Sequence, residues 1–130
     1  MSRIYDMARE EFLGAELSWT ADDMRACLVR STYTFNAAHT AMSDLGAADN
    51  GRSPALGGKT RAAGIADADD TNITATAANA CNAVVLFKHT GNDATARLVA
   101  YIDAAQSGLP VTPSAGQTMA IEWANTINKI

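Results

Sequence analysis

Aromatic side chains make up only 6% of this 130-residue chain, and it holds just two cysteines, three prolines and two histidines. Cys27 and Cys81 are too few and too far apart for a structural zinc site, which takes four ligands at close paired spacing. Both lie in strand-like segments and are expected as buried, reduced thiols. A disulfide would require the two strands to be neighbours with suitable Cβ geometry. Basic charge is also short. Ten Lys and Arg, scattered rather than striped, stand against fourteen Asp and Glu, and the formal net charge is −4. That balance disfavours nucleic acid and anionic membranes as partners. No apolar run approaches the length of a bilayer span. Arg3, Asp6, Arg9, Glu10 and Glu11 interrupt the start where a signal peptide would need an apolar stretch. The expectation is a product made in the cytoplasm.

Catalytic signatures are missing as well. Gly57-Gly58-Lys59-Thr60 ends like a P-loop, but Arg52 and Ser53 stand where its first glycine would be. No serine sits in a nucleophile-elbow pattern, and nothing points to the paired carboxylates of glycoside chemistry. Asp67, Asp69 and Asp70 form one carboxylate cluster. A calcium loop of the EF-hand type needs a glycine and a closing glutamate that are not in place, so a solvated turn is expected. His39 and His89 are far apart and read as surface or turn residues. No catalytic, cofactor-binding or metal-ligating residue is assigned.

What the chain does have is apolar content, 48% of residues, much of it alanine. A chain of this length should bury roughly two thirds of its unfolded surface around one core. Alanine contributes little area per residue, so that core is thin or is supplemented by contacts with other subunits. The stretch from Asn82 to Trp123 organises the rest. Residues 83–88, 97–103 and 118–123 read as strands, with breakers at 90–93, 107–110 and 113–116 between them. Met119, Ile121 and Trp123 alternate with Thr118, Ala120 and Glu122. Trp123, Ile121, Met119, Leu98 and Leu28 are the expected core.

Ser2 is placed to cap a helix from Arg3 to Leu13 that Gly14 stops, with Tyr5, Ala8 and Phe12 on one side and Ile4 beside them. Residues 15–19 suggest a short strand. Met24–Arg30 is a clearer one, with Thr32–Phe35 as an extension. From Asn36 to Gly58 the pattern fades into a long irregular loop with a helical turn at 37–45. Short strands resume at 59–63 and 72–77. These units predict a mainly β fold, a single β-sandwich or jelly-roll-like domain. Residues 1–14 would form an N-terminal helix or arm, and 15–130 the sandwich with its irregular loop 36–58.

Two segments lack alternation that would bury them in the chain's own core, Ser2–Leu13 and Asn36–Gly58. A short helix is marginal without packing partners, and a glycine-rich excursion loses entropy when it orders. The first reads either as a helix packed on the β core or as an arm, and both segments suit docking on another subunit. Ile4, Tyr5 and Phe12 from the first, with His39, Met42 and Leu45 from the second, are the expected interface residues. Tyr5 and Phe12 are the favoured anchors.

Beyond these physical readings, the residues carry a resemblance that covers nearly the whole chain. Ile4-Tyr5-Asp6-Met7-Ala8-Arg9 with Phe12-Leu13 resembles the start of a family of small tailed-bacteriophage virion structural proteins. Similar segments follow in order: Trp19 with Asp23, Leu28-Val29, Lys59-Thr60, Gly64-Ile65-Ala66-Asp67-Ala68-Asp69 and Arg97–Asp103. Gly108-Leu109-Pro110-Val111-Thr112-Pro113, the most distinctive part, and a tail from Trp123 to Ile130 complete the set. Cys27 and Cys81 depart from the family's usual strand residues. The resemblance implies a non-enzymatic capsid decoration or cement protein on the outer surface of the head. Its partners would be the major capsid protein and copies of itself, as a homo-oligomer such as a trimer. No cofactor, nucleic acid or membrane is implied. The alternative is a tail- or fibre-associated protein, since members also carry that label.

Overall fold

Cys81–Lys88, the longest strand (here β7), is apolar on consecutive residues, and Ala83, Val84, Val85, Leu86 and Phe87 are all buried. A strand whose two faces both avoid water must lie inside a sheet that is covered on both sides. The structure, a computed structural model, describes residues 2–63, 65–103, 109–123 and 128–129. Among them the chain is mainly β, with one short N-terminal helix.

In chain order the elements are β1 (Ser2–Ile4), α1 (Asp6–Leu13), β2 (Met24–Arg30), a 3-10 segment (Met42–Ala48) and β3 (Asp49–Arg52). Then follow β4 (Thr60–Ala62), β5 (Ile65–Asp67), β6 (Thr71–Thr74), β7, β8 (Leu98–Ile102), β9 (Thr118–Ile121) and β10 (Asn128–Lys129). Five strands form the main antiparallel sheet in the order β1-β8-β7-β2-β3. Leu28 stands opposite Val84, and Val84 opposite Ile102, so apolar side chains stack across the three central strands. A β6–β9 ribbon packs on β2 and β3, and α1 packs on β8. The third sheet, β10-β5-β4, ends in the exposed edge strand β4. The arrangement is sandwich-like, as the strand pattern predicts. Leu28, Leu98, Ile121 and Trp123 are buried and Met119 is half-buried.

Several local expectations need correction. The helix does not begin at Arg3 with Ser2 as its cap. Residues 2–4 are instead a strand, because β8 offers them a ladder, with Ile4 opposite Ala100. Tyr5 is the N-cap, and the Asp6 amide donates to the Ala37 carbonyl at 3.0 Å. Residues 2–4 are thus an edge of the main sheet, and the helix that follows packs on β8 rather than standing off as a separate arm. No strand forms at 15–19, because the Glu11 carbonyl accepts both the Glu16 and Leu17 amides and closes the helix end in a turn. Thr32–Phe35 does not extend β2, since the Tyr33 amide turns back to Arg30 at 3.1 Å.

The largest correction concerns 36–58, which is packed rather than irregular. Its helical turn starts at Met42, and β3 completes the main sheet. Asn50 is fully buried, with its side-chain amide donating to the Ala77 carbonyl at 3.1 Å. The Ser53 hydroxyl accepts the Ala26 amide at 2.9 Å. Polar side chains that satisfy buried backbone groups look like loop composition in sequence. The expected breaker at Ser107-Gly108, Gly64, and the tail residues 124–127 and Ile130 lie outside the described residues.

Candidate interaction surface

Helix α1 has two chemically different ends. At its N-terminus Tyr5 is fully buried, and its hydroxyl lies 3.0 Å from that of Tyr33. The Tyr33 hydroxyl in turn lies 2.8 Å from Nδ1 of His39. Burial, reinforced by Tyr33, pushes the Tyr5 phenol well above its ordinary pKa, so it stays a neutral hydrogen-bonding group. Around this chain of hydroxyls the rings of Tyr5, Phe35 and Tyr101 pack. The Tyr5–Phe35 centroids are 5.0 Å apart edge to face, and the Phe35–Tyr101 centroids are 5.3 Å apart and stacked. The Arg3 guanidinium sits 5.2 Å from the Phe35 centroid.

The expected interface residues therefore divide. Ile4, Tyr5, Met42 and Leu45 are buried in the chain's own core and are not available as anchors while this fold stands. Neither segment shows a clean period in sequence that would mark these residues as buried. The reason is that β1 spans three residues and the 3-10 segment changes direction at Gly46, too briefly for a period to show. Phe12 and His39 are half-buried. His39 joins Tyr5 through Tyr33, whereas Phe12 lies about 10 Å further along the helix axis. Tyr33, Phe35 and Tyr101 were not singled out, although the alternation in Thr32-Tyr33-Thr34-Phe35 already puts two rings on one side.

The C-terminal end of α1 opens onto an apolar hollow of about 520 Å³. Phe12, Leu17, Trp19, Ile65 and Ala66 form its largely apolar wall, and Arg61, Ser18 and the Trp19 indole bring polar groups to it. Leu13, 90% exposed, falls in the sequence between Phe12 and Ala15, two of its lining residues. It lies roughly 140° around the helix from the buried Ala8, which takes it off the packed face. This exposed leucine was the sequence's least conspicuous apolar residue, sitting next to a helix-stopping glycine. Among the described residues its lining is mostly apolar. It suits contact with another apolar surface.

No family model, curated protein or solved structure matches this chain.

The remaining charged groups act locally. Asp67, Asp69 and Asp70 hold the two tryptophans, the first two through backbone carbonyls and the third through its carboxylate. The Trp19 indole donates to the Asp67 carbonyl at 3.2 Å, and the Trp123 indole to the Asp69 carbonyl at 3.1 Å. The Asp70 carboxylate accepts the Trp123 amide at 3.0 Å. Among the described residues no group of three or more His, Cys, Asp or Glu side chains could hold a metal. Arg52 bridges Asp49 at 2.8 Å and Asp93 at 2.9 Å, while its guanidinium lies 5.3 Å from the Phe87 centroid. Arg52 also holds the Asp93 carboxyl below its ordinary pKa through a two-pronged hydrogen bond. Cys27 and Cys81 are both free and buried. They sit on paired strands, but Cys27 faces Val85 and Cys81 faces Arg30, which separates them by about 10 Å along the sheet.

Proposed function

We propose that this chain is a non-enzymatic structural protein of tailed-bacteriophage virions, acting as a capsid decoration or cement protein on the outer surface of the head. One observation carries the reading. The segments on which the family resemblance rests are distant in sequence yet meet at one junction. Trp19 and Trp123 both hydrogen-bond to the backbone of the segment from Ile65 to Asp69. Similarity confined to scattered residues would have no reason to converge on one packed unit. A further stretch of it, Leu98–Ile102, is β8, buried at every residue.

Such a role asks for a rigid scaffold and surface complementarity, not chemistry. The doubly covered central strands supply the scaffold. Binding the folded form to a shell adds stability by mass action, which suits a core this poor in aromatic residues. The acidic balance of the chain also keeps it from adhering to packaged nucleic acid.

The test is the copy number of the chain on purified particles of the phage that encodes it, with binding to undecorated heads. The expected result is many copies on the head, saturable and removable without opening the tail. A handful of copies located at the tail would replace this reading with the tail- or fibre-associated one. Absence from the particle would overturn both.

A further inference from the structure

Leu13 and the hollow are neighbours along the chain, since Phe12 and Ala15 on either side of the leucine both line the hollow. One is a protruding apolar side chain at 90% exposure, the other an open apolar depression of about 520 Å³. Their charges are complementary. Glu10 and Glu16 are exposed and flank the protrusion, and the Glu16 carboxylate folds back over Gly14, next to Leu13. Arg61 is exposed at the wall of the hollow. Among the described residues, none of Glu10, Glu16 and Arg61 takes part in an ion pair.

We propose that the occupant of this hollow is Leu13 of a second copy of the chain, in a two-fold symmetric dimer. Because knob and hollow are neighbours along the chain, a two-fold axis lets each copy give its Leu13 and receive the other's at once. A head-to-tail arrangement would leave one knob and one hollow unmatched and would propagate. Two-fold exchange also carries the Glu10 and Glu16 carboxylates of one copy toward Arg61 of the other. Each charge that lacks a partner within the chain then gains one across the interface. Direct pairing of the two β4 edges is disfavoured. Arg61 is the middle residue of that strand, and an antiparallel pair centred there would set arginine against arginine. The contact is therefore a side-chain exchange and not an extension of the sheet. It forms in solution whatever the chain does on a particle, so its failure leaves the virion reading standing, and the reverse also holds.

Sedimentation equilibrium of the full chain, from roughly 1 μM to 1 mM, tests this over the range where small interfaces associate. The expected result is a reversible monomer–dimer equilibrium without larger species. Leu13→Asp should raise the dissociation constant roughly tenfold or more, as removal of a central apolar anchor does. Its melting temperature should match the wild type, because Leu13 contributes nothing to the core. Arg61→Glu should also weaken the dimer. Adding Glu10→Lys and Glu16→Lys to Arg61→Glu should restore it. A wild-type chain that stays monomeric throughout, or a dimer indifferent to both Leu13→Asp and Arg61→Glu, overturns the proposal. So does a trimer.

Discussion

The carboxylate of Glu11 and the guanidinium of Arg97 meet at 2.7 Å, joining the buried face of α1 to the residue that leads into β8. Glu11 keeps only 10% of its side-chain surface exposed, so this pair is mostly removed from solvent on the acidic side. Losing one partner of such a pair strands the other charge where water cannot reach it. Arg97→Ala should therefore destabilise the chain by about 2–4 kcal/mol, read from chemical denaturation. Replacing both residues by leucine should recover most of that loss. A single Arg97→Ala that unfolds like the wild type would show that the pair is solvated after all.

The same pair shows why the N-terminal segment could not be judged from sequence. The turn signal at Gly14 and the apolar set Tyr5, Ala8 and Phe12 are legible, and the helix ends at Leu13 as expected but begins only at Asp6. Glu11 is not, because a glutamate inside the buried arc of a helix looks like a solvated residue until its partner is known. The main strands were readable where the run was long. Met24–Arg30 matches its expected bounds, and Cys81–Lys88 extends the expected 83–88 by two residues. β3 was unreadable because Asp49, Asn50 and Gly51 are turn formers by composition. Here Asn50 is held by its hydrogen bond to the distant Ala77 carbonyl, and the segment pairs with β2, some twenty residues earlier. Long-range recruitment leaves no local period. For the same reason the hollow at the end of α1, which joins Phe12, Leu17 and Trp19 to Arg61, Ile65 and Ala66, was out of reach.

Trp123 is the second place where one side chain holds distant segments together. It is 8% exposed, its indole binds the Asp69 carbonyl, and its amide binds the Asp70 carboxylate. Trp123→Ala should cost about 3–5 kcal/mol, the usual range for a large aromatic truncated in a core. Trp123→Phe, which keeps the ring but loses the N–H donor, should cost less. Thermal melts of the two variants separate packing from hydrogen bonding, and equal melting temperatures for all three chains would contradict this placement.

The thiols make a prediction about reactivity. Burial, reinforced by the nearby Asp49 carboxylate, pushes the Cys27 thiol well above its ordinary pKa, and burial also raises Cys81. The thiolate is the reactive form, so both should resist a thiol-specific reagent in the folded chain at pH 8. Two equivalents should react at once in denaturant. Oxidation should not join them within one chain, given their offset along the sheet. Rapid native labelling of either cysteine would mean that the β2–β7 region opens readily.

Acid should act through carboxylates held by donors. Arg25 holds the Asp23 carboxyl below its ordinary pKa, Arg52 does so for Asp93, and the Thr40 and Ala41 amides do so for Asp44. In each case the folded pKa lies below the unfolded value, so the unfolded chain binds more protons as pH falls. The stabilisation is therefore complete above the unfolded value, about 3.9, and is lost as pH drops through the lower folded ones. The melting temperature should be level between about pH 7 and 5 and should decline below about pH 4. Arg52→Met should flatten part of that decline, because the group that chiefly holds the Asp93 carboxyl down is then gone. A melting temperature that holds steady down to pH 3 would contradict the assignment.

Gly51 offers the sharpest test of how the β6–β9 ribbon is seated on the main sheet. Its φ is +130°, and a Cβ placed on it would lie 2.3 Å from the Thr74 carbonyl oxygen and 3.2 Å from a methyl of Ile73. The obstruction is backbone, which cannot rotate aside as a side chain would. Any side chain here must both hold a conformation open mainly to glycine and push β6 away from β3. Ile73 is fully buried in that contact, so displacing the ribbon would also admit water to the core. Gly51→Ala should therefore destabilise the chain by at least about 3 kcal/mol, at the upper end for adding one methyl group. Gly91, with φ of +84°, serves as the control, since a Cβ there meets nothing within 4 Å. Gly91→Ala carries only the conformational cost, roughly 1 kcal/mol. If the two alanine variants melt together, the close approach of β6 to β3 is not what holds the ribbon in place.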